Sequence, residues 1–190
     1  MPRTLLSAVT LLVLSVGVVD TAHAHDPKLL DVLSAIDIVP TGDQLRRVVR
    51  SPEAALDAVA RDASLSLYQR ERAISLLSAF PTRDVARRLE TLASASSLNS
   101  RLQAMAVYTR VRGFAGTDPR GALAFATRST RASNLEERES AIRGLRWIAL
   151  PEADAALEKA LAAETHAPLK ATIEHVQRAR AALRRAGDAR

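Results

Sequence analysis

The sequence predicts an all-α fold made of stacked helix pairs, and three observations carry that expectation. First, three segments align without gaps: "LYQRERAISLL" from Leu67, "LNSRLQAMAVY" from Leu98 and "LEERESAIRGL" from Leu135. They share a frame of Leu, Arg, Ala and Ile or Met at i, i+3, i+6 and i+7. That spacing gathers the four positions toward one side of a helix, so each segment reads as an amphipathic helix. Second, each segment is followed by a proline-marked break and another helical stretch. Third, apolar and polar residues alternate nowhere over a strand length, and β-branched or aromatic clusters are scarce, which predicts essentially no sheet.

In chain order, Met1-Pro2-Arg3 is a short basic start, Leu5–Val19 an apolar run of 15 residues, and "TAHAH" supplies small residues at Ala22 and Ala24. This is the pattern of a signal peptide over residues 1–24, cleaved after Ala24. The run falls short of the roughly 20 residues a membrane-spanning helix needs. Residues 25–40 form an N-terminal capping segment, with a short helix near Pro27–Ile36 whose Leu29, Leu30, Leu33 and Ile36 cover the first apolar face. Pro40 and Gly42 end that segment and "DQLRRVV" begins the repeat domain, which runs over residues 41–187. Pro52 opens "EAALDAVARDA". Pro81-Thr82 precedes "RDVARRLETLAS", Thr117-Asp118-Pro119 precedes "RGALAFATRST", and Pro151 precedes "EADAALEKALAAE". Proline suits the first turn of a helix, where its missing N–H has no partner to lose, and Thr or Asp before it caps. Residues 188–190 are a tail. One helix pair cannot bury both its apolar stripes, whereas a stack makes a continuous core.

The frame R-x-x-A-x-x-x-L followed by a Pro- or Asp-marked second helix, with starts at Leu67, Leu98 and Leu135 spaced 31 and 37 residues apart, resembles HEAT-like (armadillo-type) helical repeats of the short bacterial kind. The resemblance covers about residues 41–187. It implies a right-handed α-α superhelix, a short solenoid of about four helix pairs with an N-terminal capping helix. Gln69, Ser100 and Glu137 stand where such repeats prefer an aliphatic residue, and Lys170 replaces the arginine in the last unit. The resemblance also implies that Arg70, Arg101 and Arg138 stand in a row. In such families that arginine bonds loop carbonyls or acidic groups of the adjacent unit, with its stem packed on apolar surface.

The chain contains no cysteine, so apolar burial alone must stabilise it in an oxidising compartment, and no thiol is present to carry a lipid anchor. Its net charge is +6, nearly all from arginine, since Lys28, Lys159 and Lys170 are the only lysines. Such an excess fits an anionic partner or a GC-rich coding bias equally well. Phe80, Phe114, Phe125, Tyr68, Tyr108 and Trp147 are too few, and too often at core spacing, to interleave a nucleic-acid surface, and export removes the chain from intracellular nucleic acid. Cleavage after Ala24 would leave His25 terminal, where amine and imidazole together suit copper, but His166 and His175 lie far along the stack. No metal or other cofactor is expected. There is no Gly-x-Ser-x-Gly elbow, phosphate loop or histidine cluster, and no enzymatic activity is expected.

The sequence therefore points to a periplasmic or secreted scaffold that binds a protein or peptide in a groove lined by the second helices, with Arg83, Arg87, Arg88, Arg120 and Arg128 along it. The alternative is an anionic envelope polymer or lipid held by the row Arg70, Arg101 and Arg138.

Overall fold

The computed structural model describes residues 25–188, with side chains through Arg185; the signal-peptide expectation for residues 1–24 lies outside the described residues. Among the described residues there are helices and connecting turns and no strand. The order is α1 (Pro27–Ser34), α2 (Gly42–Val48), α3 (Pro52–Arg61), α4 (Leu67–Leu76) with a 3-10 turn over Leu77–Ala79, α5 (Arg83–Ala93), α6 (Ser100–Phe114), α7 (Pro119–Ser129), α8 (Leu135–Leu145), α9 (Glu152–Ala163) and α10 (Ala167–Asp188).

Local chemistry explains where these helices begin. Asp26, Thr41, Ser66, Thr82, Asn99, Asp118 and Asn134 each accept a first-turn backbone N–H through the side chain, satisfying a donor the helix leaves unpaired. Thr41 with Gln44, and Ser66 with Gln69, complete reciprocal capping boxes. Pro27, Pro52 and Pro119 sit in the first turn, as the sequence predicts. Pro151 differs: it is the residue before α9 and already helical in backbone, with no side chain to cap.

A first row of helices runs α1 on α4, α4 on α6, α6 on α8 and α8 on α10. Against it, α3 packs on α4, α5 on α6, α7 on both α6 and α8, and α9 on α8 and α10, with α7 also touching α9. One continuous apolar cluster runs from Leu29 and Leu33 of α1 to Leu169, Ile173 and Val176 of α10. With no cysteine in the chain, these side chains supply the stability, at roughly 1.5–3 kcal/mol for each large aliphatic group buried.

The helix starts place the three similar segments in a register different from that of the sequence alignment. Helix starts are marked by the caps Ser66, Asn99 and Asn134, so Asn99 follows Ser66 by 33 residues and Asn134 follows Asn99 by 35. In this register Ala73, Ala106 and Ala141 are equivalent and fully buried, as are Ile74, Val107 and Ile142, at most 1% exposed. The gapless alignment on Leu67, Leu98 and Leu135 slips by two residues in the middle unit. Leu67 and Leu135 open their helices and are 37% and 38% exposed, whereas Leu98 precedes its cap and is buried. The slip arises because "LNSR" spells the same short pattern as "LYQR" and "LEER", and the cap letter, not the leucine, sets where a helix can start.

The corrected register exposes a substitution inside the core. Leu77 and Leu145 are fully buried, and their counterpart in α6 is Arg110, only 3% exposed. Its guanidinium reaches Glu90 at 2.9 Å and Asp118 at 2.9 Å and lies 4.9 Å over the Phe114 ring. Both carboxylates are substantially exposed, so they rehydrate once the arginine is gone, and replacing a buried ion pair with a packed aliphatic is often neutral. Arg110→Leu is expected to stay within about 1 kcal/mol of wild type by urea unfolding; a loss several times larger would show that the ion pair, not the slot, holds α5, α6 and α7 together.

Candidate functional site

Of the arginine row, Arg70 and Arg138 are equivalent internal anchors and Arg101 is not. Arg70 donates from Nε to the Ala60 carbonyl at 3.0 Å, closing the end of α3. Arg138 donates to the Ala132 and Ser133 carbonyls at 3.0 Å, and its Nε meets Glu164 at 3.0 Å. In the register of the caps the middle member is Gln103, whose amide donates to the Ala95 carbonyl at 2.8 Å. The recurring device is thus a long side chain in the second turn of each first-row helix that satisfies carbonyls left open where the preceding helix ends. Arg101, two positions earlier, faces outward and pairs with Glu71 of α4; that hydrogen bond holds its guanidinium more firmly protonated.

Glu164 had no signal in the sequence. Its carboxylate accepts the backbone N–H groups of His166 at 2.9 Å and Thr165 at 3.0 Å, and also receives Arg138. The His166 N–H and then the Arg138 guanidinium hold the carboxyl below its usual range. At the other end, His25 Nε2 lies 2.7 Å from Asp62, so the ring considered for copper is bonded to a carboxylate at the end of α3. Two hydrogen bonds from Ser64, together with that from His25, lower the Asp62 carboxyl to about 2.

The five arginines expected along a second-helix groove are placed differently from one another. Arg87 and Arg88 pair with Asp84 of their own helix, and Arg88 also reaches Asp57 of α3 at 3.5 Å. Arg128 lies 5.6 Å over Phe125 and 3.8 Å from Glu90. Arg83 and Arg120 are exposed at helix starts. None of the five lines the clefts described next, which lie on the first-row helices instead.

Two clefts adjoin there. One, of about 460 Å³, is lined by Tyr108 of α6, Arg143 of α8, Arg146 and Trp147 just after it, and Thr172, His175 and Val176 of α10. The second, of about 420 Å³, shares Tyr108 and Arg143 and adds Glu71, Arg101, Met105, Glu136 and Glu139. The border between them is the Arg143–Glu139 ion pair at 2.6 Å. Tryptophan occurs once in the chain, and it is 44% exposed here.

Around that indole the electrostatics are unbalanced. The Arg112 guanidinium lies 5.0 Å and that of Arg146 5.3 Å from the ring centroid, both within cation–π range. Arg112 is also 5.7 Å over Tyr108, whose hydroxyl accepts its Nη1 at 3.4 Å. Neither arginine pairs with a carboxylate among the described residues, and Arg146 Nε is enclosed without an acceptor. Arg143, by contrast, has Glu139 as its partner. The arrangement sets a half-exposed indole beside two guanidiniums that have no carboxylate partner among the described residues. No family model matches the chain, and no curated protein or solved structure shows significant similarity to it.

Proposed function

We propose that the chain is an exported scaffold that binds a protein or peptide partner on the first-row face, in the cleft around Trp147. In this reading the helix pairs form a short, right-handed, HEAT-like solenoid of about four pairs with α1 as its N-terminal cap. The succession of contacts from α1 through α4, α6 and α8 to α10, and the anchor repeated at Arg70, Gln103 and Arg138, support the stack. The basic start, the Leu5–Val19 run and Ala22/Ala24 support export to the periplasm or beyond, with cleavage after Ala24. The observation that carries the binding reading is the pair of carboxylate-free guanidiniums beside the exposed indole.

An anionic envelope polymer or lipid on Arg70, Arg101 and Arg138 is the weaker reading, because a polyanion would have to displace partners these side chains already hold. Capture from an envelope extract of the producing organism separates the readings. A protein or peptide retained by the wild type and lost with Trp147→Ala, with unchanged helicity by circular dichroism, supports the scaffold. Retention of a polysaccharide or lipid that falls steeply with salt replaces it with the polyanion reading. A small molecule that the chain chemically alters overturns both.

A further inference from the structure

Resting on the binding-scaffold reading, the chemistry of the cleft narrows what its partner must present. Two cations held near one ring, neither paired with a carboxylate among the described residues, repel each other. A carboxylate relieves that repulsion and accepts parallel N–H bonds from a planar guanidinium. The indole beside them, with Val176 and Ala171 lining the same cleft, offers contact to an apolar group adjacent to that carboxylate.

The adjoining cleft limits how much negative charge can follow. Glu71 and Glu139 there are paired with Arg101 and Arg143, and Glu136, without an ion pair among the described residues, acts on the same Arg101 that Glu71 already engages. Continuing along the face, a polyanion would meet carboxylates whose nearest cations are already engaged, and like charges brought together cost affinity. The basic character is confined to one end. We propose that the Trp147 cleft recognises a single carboxylate next to an apolar side chain in an extended peptide, and discriminates against runs of negative charge.

The lone tryptophan makes the cleft its own reporter. Decapeptides are selected from a random library on the purified chain, then titrated against Trp147 emission. Selected peptides are expected to carry Asp or Glu beside an aliphatic or aromatic residue and to change the emission saturably. Replacing that acid by its amide, or Arg112→Gln or Arg146→Gln in the chain, is expected to weaken binding about tenfold, whereas Arg83→Gln leaves it unchanged. Uncharged selected peptides, tighter binding by oligoglutamate, or displacement by acetate or inorganic phosphate at the concentration of the peptide itself would overturn the proposal while leaving a binding scaffold standing. A library that yields no enriched peptide takes the scaffold reading down with it.

Discussion

Arg180→Leu is expected to destabilise the protein by about 3–5 kcal/mol, the largest effect of any single replacement considered. Arg180 of α10 is 5% exposed and donates to the Leu145 carbonyl at 2.8 Å, to that of Ile148, and to that of Leu150 at 3.1 Å. It also pairs with Asp154 of α9 at 2.8 Å, which keeps that carboxyl below its usual range. One guanidinium therefore satisfies the end of α8, the turn after it and the start of α9. Leucine fills much of the volume, so a cavity does not dominate the result. What is lost is the donor set for three carbonyls, each costing about 1–3 kcal/mol when left enclosed without a partner.

The contrast with Arg110 decides which physics is at work. There the partners are carboxylates that water can reach; here they are backbone groups that cannot move away without opening the turn. Arg184→Leu serves as the control, because Arg184 contacts the same Asp154 but is largely exposed, and such pairs contribute at most about 1 kcal/mol. Urea unfolding reads the global loss, and hydrogen exchange is expected to show α9 and α10 opening first, since Arg180 ties these two helices to the end of α8. An Arg180→Leu midpoint matching that of Arg184→Leu would remove the argument.

Gly144→Leu is expected to cost about 2–4 kcal/mol, although leucine is the better helix former by nearly 1 kcal/mol. Gly144 is buried in α8 where α6 crosses it, and a Cβ added there would stand 2.7 Å from Val111 Cβ and from its Cγ1. No other heavy atom fits at that distance, so the two helices must part, and interiors at crystal-like density do not yield without breaking other contacts. Gly144→Ala combined with Val111→Gly removes both atoms it would strike and relieves the collision. The pair is expected to be less destabilised than the sum of the two single variants, a coupling that a double-mutant cycle in urea measures. Additive losses would show that glycine is tolerated at this crossing, not required.

Much of the fold was legible before any coordinates. Helix starts are written in Thr41, Ser66, Thr82, Asn99, Asp118 and Asn134 and in the prolines beside several of them, because capping acts within one turn. The apolar period marked Ala73, Ile74, Ala141 and Ile142 correctly. The middle repeat was misread because Leu98 and Arg101 imitate a pattern whose true members there are Ser100 and Gln103. An alignment anchored on cap residues instead of on Leu and Arg would have found the 33- and 35-residue spacings.

The candidate site was far less legible. Arg112 and Arg146 read like any other arginine on a helix face, and nothing in the local pattern told Trp147 from the other aromatics. Their significance lies in what is missing around them, and the carboxylate partners of other arginines lie as far away as the 31 residues between Arg88 and Asp57.

The sequence by itself determined that this chain is helical, where most helices start, and which stripe of each is apolar, because those properties arise from interactions reaching no further than four residues. Only the tertiary structure decided which arginines are spent on internal carbonyls and carboxylates and which remain open, and that the clefts lie on the first-row face. A guanidinium's partner is chosen by the packing of helices distant in sequence, and no local period records that choice.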